Sequence, residues 1–219
     1  MVNRPTVTDA PDLISVPTPM PEPGQILEGR FLLERRLGSG GAGVVFSARD
    51  TTVNQRVAIK VLHPHVVDDR SRERVRREVR ASRPGHPNAV TIFELYEADG
   101  LVFLAMELVE GPNLGEILKD RDRLTIDEVI DLGRELAAAL AHLAARGLVH
   151  RDVKPGNVLL GKDGIAKLCD TGLVRPTTSG ETVTESAMVV GTPAYMAPEQ
   201  ASGAELTPAA DVYALGLTL

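Results

Sequence analysis

A short polar segment in the second half of the chain carries the side chains best suited to chemistry. Within His150–Asn157 stand Asp152, Lys154 and Asn157, and Asp170 follows. Asp152 could accept a proton from a hydroxyl, and Lys154 could neutralise a phosphoryl group in transfer. Asn157 and Asp170 could hold two magnesium ions. Phosphoryl transfer needs little beyond positioning and charge neutralisation, so the segment predicts a phosphotransferase rather than a merely charged loop.

A glycine-rich segment lies earlier in the chain. It consists of Leu37, Gly38, Ser39, Gly40, Gly41, Ala42 and Gly43. Glycines allow a backbone to fold closely over phosphates, because no Cβ intrudes. Taken alone the spacing fits an ordinary turn equally well. A dinucleotide-binding loop would join a strand to a helix, whereas strand signals flank this segment on both sides. A hairpin lid over a nucleotide fits the pattern better.

Lys60 ends the apolar run Val57-Ala58-Ile59-Lys60. A lysine in this position gains a role when a carboxylate can hold it over the phosphates of a nucleotide. The helix predicted next in the chain offers Glu78 and Glu73, which lie on different helical faces. We expect Glu78 to be the partner of Lys60, because it lies deeper in the helix.

The elements that must position these residues divide into a strand-rich part and a helical part. The predicted strands are Arg30–Leu37, Val44–Ala48, Val57–Leu62, Val90–Tyr96 and Leu101–Leu108, the last two joined by an Asp-Gly turn. The predicted helices are Asp68–Ser82, Asn113–Lys119 and Ile126–Arg146. This order predicts an α+β fold of two lobes with a cleft between them: residues 28–107 form the first lobe, and residues 108–219 form part of the second.

Composition limits the function further. The 219 residues carry a net charge of −6, which argues against nucleic acid as a partner. A single cysteine cannot build a disulfide framework, and no apolar run reaches the length of a membrane span. We therefore expect a cytoplasmic protein with no membrane segment in this chain. Frequent prolines predict that residues 1–27 form a disordered tail.

Two further segments give the chain a family resemblance. They are Gly191–Glu199 and Asp211–Gly216. Taken with the glycine-rich segment and the polar segment, they indicate a family: from Ile26 to Leu219, the chain resembles the protein kinases. Lys154 and Thr192 are similar to the residues at these positions in the Ser/Thr branch of that family. The sequence around the motifs most resembles the family's bacterial, eukaryotic-like members. The resemblance implies a Ser/Thr kinase that uses ATP and Mg²⁺, acts on protein hydroxyls and self-associates for autophosphorylation.

The same resemblance assigns the adenine site. Met106 resembles the family's gatekeeper, and the backbone of Glu107 and Val109 resembles the hinge that pairs with adenine. The apolar residues that would enclose the adenine ring are Val45, Ala58 and Leu159.

Two departures from the family keep an alternative open. Thr171 stands where the family usually has Phe after the metal-binding Asp, and the family's C-terminal lobe continues beyond the point that corresponds to Leu219. A C-terminally truncated kinase is therefore expected. A pseudokinase or regulatory module that binds nucleotide without transfer is the alternative. A small-molecule phosphotransferase is disfavoured, since Gly191–Glu199 resembles a protein-substrate segment.

The region between Thr177 and Val190 generates a prediction about regulation. It is rich in hydroxyl groups and poor in apolar residues, and Arg151 beside Asp152 resembles kinases whose base is steered by a phosphorylated loop. Because Thr184 and Ser186 resemble the paired loop sites of the bacterial kinases, we predict activating phosphorylation at these two residues, with Thr182 as the alternative. A Thr184→Ala/Ser186→Ala variant should therefore lose most of its phosphate-transfer activity. Full activity in this double variant would show that the two sites do not regulate the protein.

Overall fold

The computed structural model describes residues 19–66, 72–73, 75–76, 79–80, 85–170 and 193–219. The expectations for Glu78, Thr171, Thr184 and Ser186 lie outside these residues, as does most of the N-terminal tail.

The first lobe is built on an antiparallel sheet. Its six strands lie in the order β1-β2-β3-β4-β6-β5. They span Ile26–Leu27 (β1), Phe31–Gly40 (β2), Gly43–Asp50 (β3), Gln55–Leu62 (β4), Ile92–Ala98 (β5) and Leu101–Glu107 (β6). β5 and β6 form the hairpin predicted around Asp99-Gly100, and both of these turn residues have positive φ.

Strand β4 is the central element of this sheet, because both of its faces are buried. Val57, Ile59 and Val61 alternate along one face and join a core that contains Phe31 and Phe103. Aromatic rings dominate this core: the Phe31 and Phe103 centroids lie 6.1 Å apart at an edge-to-face angle of 83°. The opposite face of β4 carries Ala58 and Lys60, and it is turned towards a second apolar cluster.

The folded part begins earlier than the predicted boundary at residue 28. Ile26 and Leu27 pair with Leu32 and Phe31, and Leu27 is buried in the first core. Gly24 precedes them with a φ of 93° and donates its N–H to Leu33. The predicted disordered tail therefore includes residues that are folded. The burial of Leu27 stabilises this segment more than the preceding prolines disfavour it.

The second lobe contains most of the helix. It comprises Leu114–Arg121 (α1), Ile126–Ala144 (α2), Pro198–Ala201 (α3) and Pro208–Thr218 (α4), with a two-stranded sheet of Val158–Leu160 (β7) and Ala166–Leu168 (β8). A capping box of Thr125 and Glu128 begins α2. Leu136 and Leu140 bury its inner face. Ile126 and Ile130, which the sequence predicts to belong to a broad apolar face of this helix, are exposed.

These separate cores and the element order confirm the α+β, two-lobed fold. The lobe boundary between residues 107 and 108 stays a prediction. None of the helices in the described part of the chain is both long and apolar enough to cross a membrane.

Strand β8 connects the two lobes. Leu168 donates its N–H to the Asn88 carbonyl and accepts the N–H of Val90, both at 2.9 Å. The Asn88 side chain adds a bond to the Ala166 carbonyl at 3.0 Å. Glu107, at the end of β6, pairs with Lys167 at 2.9 Å. The strand that leads to Asp170 is thereby fixed to the first lobe.

A bidentate ion pair closes the far end of the first lobe. Asp50 is buried and accepts from Arg30 Nε at 3.0 Å and Nη2 at 2.6 Å. The Arg30 hydrogen bond, aided by Thr52, holds the pKa of the Asp50 carboxyl well below its usual range. A carboxyl with a lowered pKa stabilises the fold above its unfolded-state pKa, and this stabilisation is lost as the pH falls towards the folded-state value.

We predict that Arg30→Met lowers the free energy of unfolding by about 3 kcal/mol at pH 7, because it leaves a buried carboxylate without its cation. The difference from wild type should shrink below a pH of about 4, where Asp50 becomes protonated in the unfolded chain.

Arg49→Met is the matched control for this measurement. Arg49 pairs with Glu34 at 3.4 Å and is more exposed than Arg30, so its loss should cost at most about 1 kcal/mol. Denaturant titrations of both variants between pH 3 and pH 7 provide the test. Equal losses in the two variants, or a constant Arg30 effect across this range, would contradict the assignment.

Candidate active site

The carboxylate of Asp152 is the centre of the polar loop that follows α2. Its Oδ2 accepts from Lys154 Nζ at 3.0 Å and from Asn157 Nδ2 at 2.9 Å. Asn157 Nδ2 also donates to the Asp152 carbonyl at 2.8 Å. The structure thus brings together the proton acceptor, the cation and the amide that the sequence singled out, on one turn of chain.

His150 connects this loop to the strand before Asp170. The imidazole is fully buried, and burial lowers its pKa, so it is neutral at physiological pH. Nδ1 accepts the N–H of Asp152 at 3.3 Å. The proton therefore resides on Nε2, which donates to the carbonyl of Cys169 at 3.0 Å. One neutral ring fixes the spacing between the Asp152 backbone and the Asp170 backbone.

Asp211, in the first turn of α4, holds the same loop from the other side. Its carboxylate is buried and accepts the N–H of His150 at 2.7 Å and the N–H of Arg151 at 2.8 Å. Charge-assisted bonds to a buried carboxylate are stronger than neutral ones. The helix therefore fixes the two residues immediately before Asp152.

Two non-glycine residues of the site adopt left-handed backbone conformations. The φ angles are 68° at Arg151 and 57° at Asp170. Such conformations cost roughly 1 kcal/mol or more and persist where the surroundings impose them. Here the hydrogen bonds to Asp211 and His150 impose these conformations. The two strained residues are Arg151, next to Asp152, and Asp170.

Lys60 and Asp170 meet across the cleft. Lys60 Nζ lies 2.6 Å from Asp170 Oδ1. Desolvation by the surrounding protein would raise the pKa of the Asp170 carboxyl, but the charge and hydrogen bond of Lys60 outweigh it, so this pKa lies below its usual value. Glu78 lies outside the described residues, and its pairing with Lys60 stays a prediction. The rival Glu73 is largely exposed and lies 3.9 Å from Arg76.

The donor set fits a magnesium–nucleotide complex. Asp170 supplies carboxylate oxygens, and the carbonyl of the adjoining Asn157 accepts the Cys169 N–H at 2.9 Å, which places the two residues side by side. Because Asn157 Nδ2 is engaged with Asp152, its amide oxygen is the atom left for a cation. Among the described residues, no three His, Cys, Asp or Glu side chains form a cluster that could hold a metal alone. Magnesium often completes such sparse sites with substrate phosphates.

The adenine-site residues of the first lobe, Val45, Ala58 and Met106, share one face of its sheet. Val45 pairs with Lys60 across β3 and β4, and Ala58 pairs with Met106 across β4 and β6. Partners in register point to the same side, and Ala58 and Lys60 alternate onto that side. Leu159 comes from β7 of the second lobe, where it bridges to Asn113. The lysine and the apolar residues therefore line one surface of the first lobe.

The hinge residues follow this surface. Glu107 ends β6, and its side chain is occupied by Lys167 and by the N–H of Thr91 at 3.2 Å. Val109 lies just beyond and is half-buried. Pairing of their backbone with adenine stays a prediction.

The glycine-rich segment forms the tip of the β2–β3 hairpin, as expected for a lid. Leu37 and Gly38 through Gly41 are exposed, and nothing lies within 4 Å of a Cβ added at Gly38 or Gly40. At Gly43, by contrast, a Cβ would overlap the carbonyl oxygen of Val61. Gly43 therefore lets the lid pack on β4, whereas the outer glycines leave space open.

Sequence reasoning missed the structural role of two residues in the second lobe. It treated Asp211 only as part of a motif and gave no role to Gln200, whose side chain also contacts the loop. The signal for Asp211 was available: it is the one charged residue in the apolar stretch from Pro208 to Leu219. Gln200 carried no such signal.

We predict that Asp211→Asn reduces the phosphate transfer expected from the sequence at least tenfold and leaves the affinity for nucleotide within about twofold, since one of two backbone bonds to the loop is replaced by an opposed N–H group. Steady-state kinetics and nucleotide titration of a variant with a cooperative melt provide the measurement. Unchanged turnover would mean that the loop does not need this carboxylate.

The chain is similar to known protein kinases, in agreement with the motifs described above. The profile of the family described as "Protein kinase domain" matches residues 31–219. The chain is 39% identical over 204 residues to serine/threonine-protein kinase PknA of Mycobacterium tuberculosis, covering 90% of this chain and 47% of that protein. It is 36% identical over 198 residues to serine/threonine-protein kinase PrkC of Bacillus subtilis, covering 90% and 30%.

A third relative is serine/threonine-protein kinase PknH of Mycobacterium bovis, 42% identical over 193 residues, with 87% of this chain and 32% of that protein covered. The chain therefore spans about half the length of PknA and about a third of PrkC and PknH. These matches confirm the resemblance to bacterial Ser/Thr kinases. The chain belongs to the protein kinase family.

Proposed function

We propose that the protein transfers the γ-phosphoryl group of Mg·ATP to serine or threonine hydroxyls of other proteins. The observation that carries this proposal is the position of Asp152. Its carboxylate is held between Lys154 and Asn157, at 3.0 and 2.9 Å, beside the Lys60–Asp170 pair. A proton acceptor and the charges that bind a nucleotide are thereby gathered in one cleft.

On the substrate side, Asp152 orients the hydroxyl and takes its proton as the oxygen attacks the γ-phosphorus. The bond from that phosphorus to the oxygen bridging it to the β-phosphate breaks, and ADP leaves with those electrons. Lys154, 22% exposed, lies 3.0 Å from the Asp152 carboxylate, and its ammonium group neutralises the transferring oxygens.

On the nucleotide side, Lys60 is poised to move from Asp170 to the α- and β-phosphates. Asp170 and Asn157 would then hold magnesium, which supplies charge neutralisation of the phosphates. Val45, Ala58, Met106 and Leu159 would enclose the adenine ring. Glu78 would take over as the partner of Lys60. The glycine-rich lid from Gly38 to Gly43 would close over the phosphates with backbone N–H groups.

The regulation that we propose rests on the segment between Asp170 and Gly191. Phosphates on Thr184 and Ser186 would order it through cationic side chains such as Arg151. Self-association would bring two copies together so that one phosphorylates the other. We place the reaction in the cytoplasm, where its phosphoryl donor is abundant. A nucleotide-binding module without transfer is the alternative, but no described contact of the site favours it.

Asp152→Asn tests the proposal directly. It should reduce phosphate incorporation into protein at least a hundredfold, in keeping with the loss of a general base, while ATP still binds. The control is Asp131→Asn, a carboxylate on the surface of α2 that is 70% exposed and pairs only locally with Arg134; it should leave transfer unchanged. Undiminished transfer in Asp152→Asn would remove this residue from the mechanism. Absence of transfer in the wild-type protein, with ATP bound, would favour the alternative.

A further inference from the structure

The peptide group between Arg151 and Asp152 is held at both of its polar atoms. Its N–H donates to His150 Nδ1 at 3.3 Å. Its carbonyl oxygen, that of Arg151, accepts from Gln200 Nε2 at 3.0 Å. Arg151 has a φ of 68°, so this peptide follows a strained residue and directly precedes the proton acceptor.

Gln200 reaches this peptide from a different part of the chain. It lies in the short helix α3, Pro198–Ala201, which ends the segment that leads away from the phosphorylation sites proposed above. The helix is fixed at its start by Ala197, which is fully buried and accepts the N–H of Gln200 at 3.0 Å. The half-buried amide of Gln200 then points at the loop and not at solvent.

The backbone bonds around Arg151 divide between two helices. Asp211 of α4 holds the Arg151 N–H, and Gln200 of α3 holds the Arg151 carbonyl. Asp211 therefore fixes the peptide before Arg151, whereas Gln200 fixes the peptide after it. Rotation of that second peptide changes the direction of the Asp152 Cα–Cβ bond, because the two share a backbone dihedral. Asp211 cannot prevent this rotation.

We propose that Gln200 is a positioning residue for phosphoryl transfer: it holds the Arg151–Asp152 peptide in the orientation that aims the Asp152 carboxylate at the substrate hydroxyl. This role rests on the proposed function. It also makes the orientation of Asp152 depend on the packing of α3, because Gln200 reaches the peptide only when α3 is docked.

The expected effect is graded. The side chain of Asp152 keeps its contacts with Lys154 and Asn157 when Gln200 is changed, so the carboxylate stays in the site but its direction is less well defined. Misplacement of a reacting group by about 1 Å costs up to about a hundredfold in rate. We expect a loss of about tenfold in kcat, because only one of several restraints is removed.

The test compares Gln200→Glu, Gln200→Lys and the control Ala201→Gln in the purified full-length protein. Glu matches the size of Gln but sets an acceptor against the Arg151 carbonyl, whereas Lys keeps a long donor. Ala201 is exposed on the neighbouring position of α3, so Ala201→Gln adds the same amide where it cannot reach the loop. Thermal melts show whether each variant is folded.

The proposal predicts that Gln200→Glu lowers kcat about tenfold with the ATP KM within about twofold, that Gln200→Lys recovers at least a third of the wild-type kcat, and that Ala201→Gln equals wild type. Wild-type kcat in Gln200→Glu would overturn it. So would an effect confined to the ATP KM, or equal losses in the Glu and Lys variants, since these indicate a general structural role. A wild-type protein that binds ATP but transfers no phosphate would instead overturn the proposed function, and this role with it.

Discussion

The buried carboxylate of Asp211 is the contact on which the geometry of the site depends. Its two oxygens accept the N–H groups of His150 and Arg151, and it belongs to a helix packed in the core of the second lobe. These bonds help to hold Arg151 in its left-handed conformation, which costs roughly 1 kcal/mol or more. The backbone that precedes Asp152 is therefore fixed to the second lobe by a buried carboxylate.

A second set of contacts extends this hydrogen-bonded arrangement across the cleft to the first lobe. The neutral ring of His150 joins the Asp152 backbone to the Cys169 carbonyl, and Asp170 follows immediately with its bond to Lys60 of the first lobe. Strand β8, just before Asp170, is tied to the first lobe by Asn88 and by Glu107. Asp152 and the Lys60–Asp170 pair thus share one continuous hydrogen-bonded framework.

Much of this could be predicted from the sequence, because the deciding signals are local. Alternating apolar residues and the Asp99-Gly100 turn predicted the strands, and the motif around Asp152 singled out Lys154 and Asn157, which the structure places in contact with it. The failures have physical causes. Residues 24–27 joined the sheet through the burial of Leu27, which proline content does not report. Ile126 and Ile130 are exposed, and the buried residues of α2 begin only at Leu132.

Contacts between distant parts of the chain could not be predicted from the sequence, for a different reason. Gln200 and Arg151 are 49 positions apart, and His150 and Asp211 are 61 apart. Such pairs depend on how the helices pack, and a single sequence contains no local pattern for that packing. The contact of Lys60 with Asp170, 110 positions away, is a further example; the pairing of Lys60 with Glu78 stays a prediction.

We infer that Asp211 orders the polar loop that follows α2 before any nucleotide binds. Amide hydrogen exchange at His150 and Arg151 in the nucleotide-free protein measures this most directly, because both N–H groups donate to that carboxylate. The account predicts slow exchange at both amides, changed little by Mg·ATP. Rapid exchange in the free protein that becomes slow only after Mg·ATP is added would contradict it.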